Sequence, residues 1–302
     1  MLCDDLLADN KLRELYDIDR VYDKIRRAQK FVLSQQFAIA ADGLVDNYHE
    51  LNKIAPWCRI PFPLTWIEWL HSDRPHWDED GPYKARPVDR TRHQFRPHRI
   101  GLLLEQKYGR ASCWKGHLFW SMRNISDDVH GNHNGSLAAI TYDADDCAGS
   151  DDPLLAATKP DVADFGVELL VALAHTDRDV ARQLGQYSIE DWGGEVRYMV
   201  SVLGLLNTRN VAERTPIDNS KTNAKRTRHG KRELFSHNIL KIRPSICTGG
   251  SAAQNEGGHR DLRMHFVRGH FKHRTSGLYW WSMHVRGSIQ HGVVTKEYEL
   301  EA

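Results

Sequence analysis

No stretch of this sequence approaches the roughly 20 consecutive apolar residues that a membrane helix needs. The best candidate, residues 165–174, is short and contains Glu168. Cys-x-x-Cys pairs are also absent. The five cysteines (Cys3, Cys58, Cys113, Cys147 and Cys247) are scattered and odd in number. That argues against a disulfide framework or a cysteine zinc site and fits a reducing cytoplasm. The opening residues Met1, Leu2, Cys3, Asp4 and Asp5 turn acidic at once, against a secretory signal. No phosphate-cradling glycine loop, metal triad or nucleophile motif appears. The acidic run 143–152 lacks the glycine and closing glutamate of a calcium loop. Neither metal nor cofactor is therefore expected, and a conventional enzyme is disfavoured.

Acidic residues are nearly missing from one region. Between Lys221 and Gln290, fourteen lysines and arginines face only Glu233, Glu256 and Asp261, a net of +11. The whole chain of 302 residues carries +1, so the remainder carries −10. An acidic body with a basic tail points to nucleic acid or another polyanion as partner. The chain is 40% hydrophobic, enough for a packed core, which excludes wholesale disorder.

The first forty residues read as amphipathic helix, with Leu12, Leu15, Val21, Tyr22, Ile25, Phe31 and Val32 at three-to-four spacing. Pro56, Pro61 and Pro63 break residues 55–70, where Trp57, Trp66 and Trp69 supply apolar area for packing against a sheet. Residues 71–99 read as loop, and 99–123 and 136–142 as strand. The stretches 164–187 and 195–207 read as two helices, the second almost entirely apolar and hence buried. The expected architecture is α+β, a helical and mixed N-terminal body (1–210) with a small β-rich C-terminal module. Residues 211–258 form a basic segment, a short strand over 235–242 and a flexible linker, and residues 259–302 form the module.

That module carries the most chemistry. Two extended runs flank Thr275, Ser276 and Gly277, a hairpin signal with Gly277 taking the left-handed position. A three-residue loop pairs Arg274 with Leu278, Lys272 with Trp280, His270 with Ser282, Arg268 with His284, and Phe266 with Arg286. One face then holds Arg268, His270, Lys272, Arg274, Trp280, His284 and Arg286. Such a face binds phosphates and stacks on a base. Lys225, Arg226, Arg228 and Lys231 in the preceding segment extend the expected nucleic-acid contacts. Two readings compete with simple binding. His270 and His284 could act as base and acid of a metal-independent ribonuclease, or the hairpin could complete the sheet of a virion or DNA-associated structural protein.

Arg268-Gly269-His270 preceded by His265, a short turn, Trp280-Trp281 and a final glycine-bearing strand together resemble the C-terminal signature of a protein family. Its members are encoded by phages and bacterial mobile elements. They include a type V anti-CRISPR protein that blocks production of the effector nuclease. Pro56-Trp57 with Pro61, residues 205–210 and the basic run 223–231 fall in the same order. Val267, where the family often has arginine, and Ser282-Met283-His284, where it has a proline, depart from the pattern. The resemblance implies a host or CRISPR-associated protein partner, a nascent chain among them, together with loss of its messenger RNA. Contact with RNA or the ribosome in the bacterial cytoplasm, away from membranes, would follow.

Overall fold

The computed structural model describes residues 1–8, 19–71, 95–124, 130–164, 175, 177–243, 263–267, 270–281, 284–286 and 288–293. The fold is α+β. The chain divides into two compact units, 1–207 with 212–242, and 208–211 with 243–302.

In the first unit the strands are β1 (Gln29–Leu33), β2 (Leu64–Leu70), β3 (Phe95–Lys107), β4 (Arg110–Asn124), β5 (His130–Asp143), β6 (Thr158–Val162), β7 (Ala212–Ile217) and β8 (His237–Ile242). They form one sheet in the order β6-β5-β4-β3-β2-β1-β8-β7. β1 pairs parallel with both β2 and β8, and the other pairings are antiparallel. Both edge strands contain a proline, Pro160 in β6 and Pro216 in β7. Proline cannot donate to a further ladder, so each end is blunted against edge-to-edge pairing. The β3–β4 hairpin turns at Tyr108 and Gly109, both at positive φ (53° and 67°), the conformation that suits the twist of a two-residue hairpin.

Helices α1 (Leu2–Leu6) and α2 (Asp19–Arg27) belong to one apolar cluster with the sheet. Leu2, Leu6, Val21, Tyr22 and Ile25 bury against Trp66, Leu103, Phe119 and Ala139. Gly101 makes room there, since a Cβ at that position would overlap the Trp66 ring. A second cluster of helices comprises α3 (Gln35–Val45), α4 (Tyr48–Ile54) and α6 (Arg178–Asn207), with the single turn α5 (Pro153–Ala157) beside them. Ser34 and Asn47 cap α3 and α4 by accepting from Phe37 N and Glu50 N. On α6, the Trp192 indole donates to Ala138 O at 3.0 Å, and its ring approaches the bare Cα of Gly116. Trp69 packs on Tyr198 (4.9 Å between centroids) and Trp114 stacks on Tyr142 (4.7 Å). Trp66 and Trp69 thus pack in the sheet's core.

Three sequence expectations change. Phe31 and Val32 lie in β1 rather than on the first helix, because two neighbouring strands supply ladder partners that outweigh local periodicity. α6 runs unbroken through Gly193-Gly194, held by buried Trp192 and Glu195 on either side. β7, in a stretch expected to be only basic segment, pairs with the expected strand β8 to complete the large sheet, where Leu240 is fully buried. The expectations for residues 9–18 and 72–94 lie outside the described residues. Among the described residues, no helix is long and apolar enough to cross a membrane.

The second unit contains β9 (Arg263–Val267), β10 (His270–Arg274), β11 (Gly277–Trp281), β12 (His284–Arg286) and β13 (Ser288–Val293). β10 pairs with β11, and β12-β9-β13 form a three-stranded sheet.

Candidate nucleic-acid interface

The hairpin exists, but its register differs by one residue from the expected one. Gly277 does take positive φ (128°). The turn holds only Thr275 and Ser276, however, so Arg274 pairs with Gly277, Lys272 with Tyr279 and His270 with Trp281. One residue of slip exchanges the faces of a whole strand. His270, Lys272 and Arg274 therefore share their face with Tyr279 and Trp281, and Trp280 moves to the opposite face. There it meets Phe271 edge-on, 4.8 Å between centroids, with Leu278 and Phe271 buried beside it.

The exposed face is a compact basic-aromatic surface. Lys272 Nζ lies 4.1 Å from the centroid of the Trp281 ring, and the Arg274 guanidinium lies 5.6 Å from both Trp281 and Tyr279. The His270 ring is 6.2 Å from Trp281. Trp281 keeps 37% of its surface exposed. The Tyr279 phenol is lowered from its ordinary value, chiefly by the Ser276 hydroxyl, with Arg209 and Arg274 adding to the effect. Residues 208–211 fasten the outer edge of β11. Arg209 N donates to Leu278 O, while Asn210 accepts from Trp280 N at 3.0 Å and donates to Trp280 O at 2.8 Å. A side-chain amide here replaces a strand partner.

His284 pairs with Val267, and Arg286 with His265, rather than with Arg268 and Phe266. The register that put His270 and His284 on one face is therefore not the one observed. Only the backbones of His284 and Arg286 are described, and Arg268 lies outside the described residues.

The other expected contacts belong to the first unit. Lys225, Arg226 and Arg228 lie on helix α7 (Ser220–Arg228), and Lys231 follows it. Lys225, Arg228 and Lys231 are exposed. Arg226 instead donates through Nε to Arg232 O at 2.6 Å.

A further cluster had no signal in sequence, because its members come from separate elements with no fixed spacing. Ligand-type atoms of Glu105, His117 and Asp164 lie within 4.8 Å of one another, a donor set of the kind that holds a divalent ion. Lysine ammonium groups already fill it. Lys24 Nζ sits 2.8 Å from both Glu105 Oε2 and Asp164 Oδ2, and Lys115 Nζ sits 3.0 Å from both Asp161 Oδ2 and Asp164 Oδ1. Lys107 lies 3.6 Å from Glu105. Three carboxylates thus face three ammonium groups. Burial pushes the His117 imidazole down to about 4 despite the Asp164 charge 3.6 Å away. Burial acts on Asp164 in the opposite direction, yet His117, Lys24 and Lys115 together hold its carboxyl well below the usual range. This arrangement suits a structural ion network better than a metal centre. Comparison with family models, curated proteins and solved structures found no match to this chain.

Proposed function

We propose that this chain is an accessory protein of a phage or mobile element that contacts single-stranded RNA through the exposed face of the β10–β11 hairpin. The carrying observation is the Trp281 ring, partly exposed on the hairpin's basic face and flanked by Lys272 at 4.1 Å and Arg274 at 5.6 Å. An unstacked base gains about 1–3 kcal/mol on such a ring, and the adjacent cations neutralise phosphates. A duplex offers no open base face, so the chemistry favours single strands. The resemblance to the anti-CRISPR-containing family supplies the setting. There the acidic body recognises a host or CRISPR-associated protein, such as a nascent chain, in the bacterial cytoplasm, and the hairpin reaches RNA or the ribosome. The paired-histidine ribonuclease receives no support from the observed register.

Salt-titrated binding of a labelled single-stranded RNA tests the reading. Lys272→Ala/Arg274→Ala should lower the slope of log K against log salt by about 1.4, two contacts at about 0.7 each. Trp281→Ala should weaken binding roughly 5- to 150-fold with the hairpin still folded. Unchanged affinity and slope in both variants would refute it.

A further inference from the structure

The basic segment before β8 reads in sequence as a polar connector, yet it is an ordered helix with no apolar anchor. No residue of α7 is buried. Polar bonds alone hold it to the returning chain. Asn223 donates to Leu234 O and accepts from Leu234 N, both at 2.8 Å. Asn219 donates to Phe235 O at 2.7 Å, Thr227 reaches Glu233, and Arg226 holds Arg232 O. Asp218 accepts from Ser220 N at the front end. At the back end Gly230 takes φ +63°, with Gly230 N on Thr227 O and Lys231 N on Arg226 O. These two bonds form the Schellman closure of a helix.

At 100° per residue, Asn219, Asn223, Arg226 and Thr227 occupy the tethered side. Lys221, Lys225 and Arg228, at i, i+4 and i+7, form a single row on the opposite side. All three are exposed, and among the described residues none makes a hydrogen bond or an ion pair. The row spans about 10 Å at 1.5 Å per residue. No acidic residue occurs from Lys221 to Arg232. Nor does the row carry a large apolar side chain, of the kind that the centre of a protein–protein interface needs.

We infer that the Lys221–Lys225–Arg228 row of α7 is a second phosphate-contacting surface, carried by the first unit and independent of the hairpin, that binds the phosphodiester backbone of a nucleic acid without reading its bases. The amide groups suited to base readout, Asn219 and Asn223, are spent on the tether. Arg226 is a positioning residue that fixes the helix.

The test uses the full chain and labelled RNA and DNA of one sequence, each with a scrambled counterpart, titrated over a range of salt. Lys221→Gln/Lys225→Gln/Arg228→Gln should lower the salt slope by about 2 on a single strand, equally for both sequences, with an unchanged far-ultraviolet circular dichroism spectrum. Loss with RNA, with DNA or with both names the polymer and supports the surface. An unchanged slope in the triple variant, or a wild-type chain that binds neither polymer, overturns it. The hairpin variant Lys272→Ala/Arg274→Ala, run alongside, keeps the two readings apart. If it alone loses binding, the α7 surface fails and the hairpin stands; if the triple variant alone loses binding, the reverse holds.

Discussion

His117 sets the acid response of the first unit at the level of one side chain. It is fully buried, and its folded pKa of about 4 lies below the ordinary 6.5. Between those values the unfolded chain binds a proton that the folded chain refuses, so stability is intact above pH 6.5 and declines as pH falls toward 4. The steepest contribution is about 1.4 kcal/mol per pH unit. Asp164 acts at lower pH. Its folded pKa is depressed below 3.8, so the stability it confers is present above that value and lost as pH falls through its folded pKa. Urea unfolding across pH 4–7 should show a shallower pH slope in His117→Gln than in the native chain, whatever the offset in stability. Nothing in the sequence marked His117 among seventeen histidines. Its role depends on α2, β3, β4 and the exit of β6 converging, and such convergence has no local spacing.

At the scale of elements, the hairpin was legible as a hairpin because Gly277 is a local signal. Its register was not. The sequence permits a three-residue or a two-residue turn, and the choice moves Trp281 onto the basic face in place of Trp280. The edge strap was illegible for another reason, since Asn210 lies 70 residues from Trp280. Replacing Asn210 with Ala removes both bonds to Trp280, at about 0.5–1.5 kcal/mol each. Hydrogen exchange should then show the Trp280 amide opening about tenfold faster or more, with the amides of α6 unaffected. The apolar runs made the β3–β5 meander readable over 99–123 and 136–142, whereas residues 95–98 of β3 and 130–135 of β5 lie outside the stretches read as strand. Continuous α6 was not, because Gly193-Gly194 signals a break that the buried Trp192 overrides.

For the whole molecule, the charge split remains but does not coincide with a boundary between units. Residues 221–242 contribute seven basic side chains against Glu233 to the first unit, whereas residues 243–290 contribute seven against Glu256 and Asp261 to the second. The expected boundary near 210 followed composition, whereas the fold follows strand pairing. A chain ended after Asn210 would lack β8, leaving the parallel edge of β1 open and the site of buried Leu240 empty. Such a chain should show no cooperative thermal transition by circular dichroism, although it retains every residue of the acidic body.

The position of β1 between β2 and β8 also has a bearing on synthesis. Phe31 finds its partner at Asn238, about 200 residues later in the chain. At about 5–20 residues per second of translation, one flank of β1 waits roughly 10–40 s on the ribosome before its partner is made. During that interval a short apolar strand offers unpaired backbone groups to any extended chain nearby, so the vulnerable period of this protein's life lasts until the basic segment, and β8 directly behind it, have been translated.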